Sequence, residues 1–237
     1  DRTWVATAHA AVLLGAKVVL VDVRPDIPIM DVSQLKQKIT SRTKAIMPVP
    51  LNGRGNDAEE VQQIATENGL LVVEDACQAL FSRYPGGFIG THSDAGCYSL
   101  AVTKLISTGQ GGGVVTRSQS TYEQLKLVRN HGVVDYFTDA WNQMGFNFKF
   151  TDLLASFGVA QLERVPGRLT HVKEVYQRYD SAINELELPF LRLIPVDVAN
   201  GEVPLYVEAM CGERDKLIAF LADRGIQCRP SPPSLHT

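Results

Sequence analysis

The sequence predicts an α/β protein: a three-layer α/β/α large domain with a mostly parallel sheet, followed by part of a small C-terminal α+β domain. Three observations carry this. Short β-branched apolar runs alternate with stretches of helical spacing through the first part of the 237 residues, as when strands are covered on both faces by crossover helices. After about Tyr136 the alternation gives way to long helical stretches and then to a strand–helix–strand pattern. The composition, 45% hydrophobic and 21% charged, suits a protein with a sizeable buried core.

The elements follow in order. The apolar opening "DRTWVATAHAAVLL" reads as a helix. "AKVVLVDV" (16–23) predicts a buried strand, and "DVSQLKQKI" a helix capped by Asp31. "TKAIMPV" (43–49) is a second strand. "NDAEEVQQIATENG" is a helix opened by Asn56 or Asp57 and closed by Gly69. "LLVVEDA" (70–76), "DAGCYSL" (94–100) and "GGGVVT" (111–116) are further strands, the last two bracketing Lys104. "SQSTYEQLKLVRNHG" reads as a helix ending at Gly132. "TDLLASFGVAQLERV" and "GRLTHVKEVYQRYDSAINEL" are helices, the second long enough to link two domains. "VPLYVEAM", "ERDKLIAFLADRG" and "IQCRP" then predict strand, helix and strand.

The formal net charge is −3 with both signs interspersed, so a nucleic-acid partner is not expected. No apolar run approaches the roughly 20 residues of a membrane span. The four cysteines, Cys77, Cys97, Cys211 and Cys228, form no CxxC pair and predict free thiols in a reduced, cytoplasmic setting. The chain opens inside a helix and stops at "PPSLHT", just after a strand-like stretch; both ends read as interior to a longer protein.

Two positions carry chemistry. "LLVVEDACQAL" puts Glu74 and Asp75 at the carboxyl end of an apolar strand, followed by Gln78; ligands of doubly wound sheets bind beyond such ends. Asp75 reads equally as a helix cap. Lys104, in "SLAVTKLISTGQGGGVVT", sits among apolar neighbours. A lysine held there tends toward a depressed pKa and suits Schiff-base chemistry; the alternative is a snorkelling or phosphate-pairing lysine. The glycine run matches neither the GxxxxGK[ST] phosphate loop nor the dinucleotide fingerprint, and reads as a hairpin.

Taken together, these segments resemble the DegT/DnrJ/EryC1/StrS family of pyridoxal-phosphate-dependent sugar aminotransferases, of the aspartate aminotransferase fold (fold type I). "TWVATAHAAVLLGAKVVLVDV", "TKAIMPVPLNGRGNDAEEVQQIATENGLLVVEDACQAL", "GTHSDAGCYSLAVTKLISTGQGGGVVT", "RNHG" and "GFNFKFTDLLASFGVAQLERV" resemble five family blocks in order. The resemblance implies pyridoxal 5'-phosphate as cofactor, with Lys104 as its covalent anchor and proton carrier. Asp75 would pair with the pyridine nitrogen, Gln78 lie near the phenolate oxygen and Ser99 hold the phosphate. Trp4 would stack on the ring, and Asn147 reach the phosphate of the neighbouring subunit, which implies a homodimer with a shared site. It further implies a large cofactor-binding domain over residues 1–165, lacking its N-terminal part. Residues 166–237 would be an interdomain helix and the start of the small domain. The implied reaction moves an amino group from glutamate to a nucleotide-linked keto-deoxysugar, feeding surface polysaccharide or antibiotic sugars.

The sequence departs from the family in places. "AVTK" stands for (H/Y)PTK, "PLYVEAM" stands where relatives carry Trp followed by His or Tyr, and a "GT" phosphate loop before "TWVATA" is absent from these residues. His131 reads as structural, as do His9, His92 and His171, while Arg229 and His236 fall near the family's substrate or cofactor approach. The alternatives are a sugar dehydratase of the same family, whose relatives carry histidine at the lysine position, a non-catalytic cofactor-binding regulator, or an inactive fragment.

Overall fold

The computed structural model describes residues 1–237 except Asn56, Asp139, Asn142, Pro232, Pro233 and Thr237. In chain order its elements are α1 (Ala6–Leu13), α2 (Val32–Lys38), β1 (Ala45–Ile46), α3 (Ala58–Glu67), β2 (Leu71–Asp75), β3 (Arg83–Tyr84), β4 (Gly87–Phe88), β5 (Ala95–Ser99), β6 (Gly112–Val115), α4 (Gln119–Arg129), α5 (Asp152–Leu162), α6 (Val165–Leu186), β7 (Leu191–Leu193), β8 (Ala209–Cys211) and α7 (Arg214–Ala222). A short 3-10 turn at Leu51–Gly53 lies between β1 and α3.

The main sheet runs β1-β2-β5-β6. β1, β2 and β5 are parallel neighbours, and β6 is antiparallel to β5. The helix spacing of the sequence places Val32 and Leu35 of α2, and Val61, Ile64 and Ala65 of α3, in one buried cluster with Ile46 and Val72 of the sheet. Local chemistry sets the boundaries. Asp31 Oδ1 accepts the Ser33 N–H and caps α2. Ser118 and Thr151 do the same for α4 and α5. Gly69, at φ 62°, turns the chain out of α3 into β2. Asp57 sits at the N-cap of α3 without a side-chain capping bond; Asn56, the alternative start, lies outside the described residues.

A second tie joins this sheet to the segment after β7. Arg54, 2% exposed, donates from Nε to the Pro195 carbonyl at 2.8 Å and from Nη1 to Glu208 Oε2 at 2.6 Å. Its Nη2 reaches the Ile194 carbonyl at 3.3 Å. Around it, a Cβ on Gly53 would stand 2.0 Å from the Val203 carbonyl oxygen, so the two backbones meet where a side chain cannot fit. The Val203 N–H donates to Ser82 Oγ at 2.9 Å.

The structure corrects the sequence reading at three strands. Residues 16–22 are extended but pair with no strand among the described residues; an isolated bridge, Val23 to Met30, closes the stretch. Apolar character sets burial tendency, but a ladder needs a neighbour for its N–H and C=O groups. "VPLYVEAM" pairs only over β8, because Asn52 engages the Tyr206 backbone instead. "IQCRP" is irregular and exposed.

Glu208→Ala would leave the Arg54 guanidinium buried against carbonyls alone. It is expected to destabilise the protein by about 3 kcal/mol, read as a lowered denaturation midpoint in urea.

Candidate active site

Successive side chains on a strand point to opposite faces, and β2 ends on two carboxylates. Glu74, 3% exposed, accepts the Gly90 N–H at 2.9 Å and faces Ser93 Oγ at 3.4 Å. Burial pushes its carboxyl above the usual carboxylate range, and the two donors offset part of that. The Gly90 turn reaches it because Gly96, its neighbour on β5, has no side chain; a Cβ there would lie 1.8 Å from the Gly90 carbonyl oxygen.

Asp75 emerges on the other face. Its Oδ2 accepts the Thr7 hydroxyl at 2.6 Å, and its Oδ1 the Cys77 N–H at 3.2 Å. Thr7 lies on α1, and its own N–H bonds the Trp4 carbonyl at 3.1 Å. The start of α1 is thereby tied to the end of β2. Both carboxylate oxygens keep a lone pair for a further donor.

Lys104 stands in the loop between β5 and β6. That loop is closed on itself: the Leu100 N–H bonds the Gly111 carbonyl, the Thr108 N–H bonds the Leu100 carbonyl, and the Lys104 N–H bonds the Ala101 carbonyl. Arg168 of α6 clasps the Leu105 carbonyl at 2.8 Å. The ammonium is half-buried, and desolvation lowers its pKa; Cys77 and Asp75 act in the opposite sense. Lys104, Cys77, Gln78, Val203 and Leu205 line one pocket. Burial, with the Asp75 charge beside it, pushes the Cys77 thiol up, so it stands there as a neutral group.

The structure thus brings Lys104 and Gln78 into one pocket, with Asp75 close enough for its charge to act on the lysine. Gln78 Oε1 accepts the Asn52 N–H at 3.1 Å. Ser99 ends β5; its Oγ accepts the Ala101 N–H at 3.2 Å, which leaves its own O–H to donate. Trp4 is 64% exposed at the start of α1. Asn147 is exposed in a segment bridged to Asn130 at the end of α4, and it is not among the residues lining the lysine pocket. His131 adopts φ 58° and stacks near Tyr136. His236 pairs with Asp1, and Arg229 is exposed.

Sequence reasoning missed Thr7, Asn52, Arg54 and Glu208. Thr7 had a local signal, a lone hydroxyl in the apolar run "VATAHAAVLL". The other three make contacts 140 or more residues away in the chain, invisible to local pattern. Among the described residues no group of three His, Cys, Asp or Glu could hold a metal ion, and no helix is long and apolar enough to cross a membrane.

The model of the DegT/DnrJ/EryC1/StrS aminotransferase family matches residues 1–237. The chain belongs to this family. It is 32% identical over 235 residues to a GDP-perosamine synthase of Escherichia coli O157:H7, covering 99% of this chain and 64% of that protein. Solved structures share its fold, two of them as follows. One is Helicobacter pylori PseC, an aminotransferase involved in the biosynthesis of pseudoaminic acid (25% identity, TM-score 0.89, 99% of this chain and 64% of that one). The other is S. venezuelae DesV in complex with a ketimine intermediate (29% identity, TM-score 0.86, 95% and 60%). The chain therefore spans about 64% of the length of the curated relative it matches. In this chain Gln78 and Lys104 line one pocket, and Asp75, at the carboxyl end of β2, acts on the lysine through its charge.

The raised Glu74 pKa has a sign. The folded state holds the proton above the pH at which the unfolded chain releases it, so this group's contribution falls as pH rises through the folded value. Glu74→Gln keeps an acceptor for Gly90 and cannot ionise. It is expected to match the parent near pH 4 and to gain in Tm relative to it as pH rises to 8; a gap independent of pH would contradict this.

Proposed function

We propose that the protein carrying this chain is a pyridoxal 5'-phosphate-dependent aminotransferase acting on a nucleotide-linked keto-deoxysugar. Glutamate is the amino donor, and the products feed surface polysaccharide or antibiotic sugars. The observation that carries this is the pocket itself: a half-buried lysine of lowered pKa beside Gln78, within the field of Asp75. The GDP-perosamine synthase, PseC and DesV likenesses support the sugar class.

The donor set fits the cofactor. When bound, it supplies an electron sink through its pyridine ring. Asp75 would hold the proton on the ring nitrogen, its carboxylate kept in place by Thr7 and Cys77. The lowered pKa of Lys104 raises the fraction of free amine at neutral pH, which its role as covalent anchor needs. Released on substrate binding, the same Nζ would take and return the proton at the substrate carbon that bears the amino group. Gln78 would donate to the phenolate oxygen and the Ser99 hydroxyl to the phosphate, with Trp4 covering one ring face.

Asn147 would complete the phosphate site of a second subunit in a homodimer. Exposed apolar side chains on α1 (Val12, Leu13), on α5 (Leu153, Phe157) and at Phe146 and Phe148 support such an assembly. The domain limits, 1–165 and 166–237, place the break at the start of α6. The four thiols are unpaired, which fits a reducing cytoplasm.

In the full-length protein loaded with cofactor, a visible band at about 420 nm is expected, lost in Lys104→Ala together with activity. Asp75→Asn should keep the band and slow amino transfer about 1000-fold. Absorbance and mass spectrometry of glutamate-dependent amination of dTDP-, UDP-, GDP- and CDP-ketosugars check both. A band that survives in Lys104→Ala, or no amination of any ketosugar, sinks the reading.

A further inference from the structure

Asn52 is a buried residue in a conformation that costs something. Its φ is 56°, in the left-handed region, and it is 0% exposed. Every polar atom of its side chain is used. Oδ1 accepts the Tyr206 N–H at 2.7 Å; Nδ2 donates to the Tyr206 carbonyl at 2.8 Å and to Glu208 Oε2 at 2.8 Å. The carboxamide thus grips a backbone residue by both of its groups, as a neighbouring strand would. Glu208 is in turn held by the Arg54 guanidinium at 2.6 Å, and Arg54 by three carbonyls.

What this grip fixes is the Asn52 backbone N–H, which donates to Gln78 Oε1 at 3.1 Å. A backbone N–H can only donate, so the atom of Gln78 that meets it is the oxygen. The usual ambiguity of a glutamine amide is removed by that partner. Among the described residues, no hydrogen bond engages Gln78 Nε2. Gln78 lines the pocket shared with Lys104, and with its oxygen engaged the NH2 is the group it has left to offer there, the polarity an anionic oxygen requires.

We propose that Asn52, backed by the Arg54–Glu208 pair, is a positioning residue for the lysine pocket: it orients the Gln78 carboxamide so that its NH2 group, not its oxygen, meets the bound cofactor. This rests on the cofactor reading above. A donor at the phenolate oxygen stabilises the form in which the neighbouring lysine-derived nitrogen has lost its proton. Gln78 in the held orientation keeps the pKa of the visible band low, and a released Gln78 lets it rise.

The test is a spectrophotometric pH titration of the visible band in the full-length holoenzyme. Asn52→Gly adopts the left-handed backbone without strain and keeps the N–H, but removes every side-chain hook. It is expected to raise the band pKa by about one unit. In a Gln78→Ala background the same substitution is expected to leave the band pKa unmoved, because the group it acts through is gone. Glu208→Gln, which loosens the same hook from its far end, should move the band in the same direction by less. A merely structural Asn52 would lower Tm with no change in band pKa. That result, an equal shift with and without Gln78, or a shift of opposite sign in Glu208→Gln, overturns the proposal. A parent protein with no visible band at all overturns the cofactor reading as well, which separates the two failures.

Discussion

A carboxylate cannot leave an apolar strand unless donors meet it, and β2 ends on two in succession. The pleat sends them to opposite faces, so each must find its own partners. Glu74 is met by the Gly90 turn, which reaches it across the bare face of Gly96. Asp75 is met by Thr7 from α1 and by the Cys77 N–H. One strand end therefore anchors a hairpin on one side and presents Asp75 near Lys104 on the other. The remaining parts of the site are arranged about that end.

The cleft is held from three directions. α1 fixes the carboxylate of Asp75. α6 fixes the lysine loop through the bond from Arg168 to Leu105. The turn at 51–54 fixes Gln78 and ties down the segment from 203 to 208 in the same contacts. Val203 and Leu205 of that segment form part of the pocket wall. Buried charge does the tying: Arg54 is buried against the partly exposed Glu208, so removing its partner is costly even if the pair adds little net stability.

Much of this was legible in the sequence. Asp75 and Lys104 have local signals, a strand end and a lysine among apolar neighbours, but these left structural readings open. The family resemblance singled them out together with Gln78, and the structure places Gln78 and Lys104 on one pocket with the Asp75 charge acting on the lysine. The parallel core strands and the helices packed on them follow from periodicity. The rest depends on partners distant in sequence. Residues 16–23 have strand composition, yet a strand exists only where another chain segment completes its ladder. Arg54 and Asn52 look like ordinary polar residues of a turn, and nothing near them announces Glu208. Asn147 remains a sequence-based assignment, because its side chain faces solvent in the single chain.

The clasp of Arg168 on the lysine loop also makes that loop depend on chain far from it in sequence. The two residues it joins are 63 positions apart, and the grip of Asn52 on Glu208 spans 156. Contacts of such separation carry a larger loop-closure entropy than local ones. In an unfolded chain Lys104 would be an ordinary solvated ammonium, with little free amine at neutral pH. In the folded chain desolvation lowers its pKa, which raises the share of free amine. The environment that sets the Lys104 pKa thus includes Val203 and Leu205, which lie far along the chain from the lysine itself.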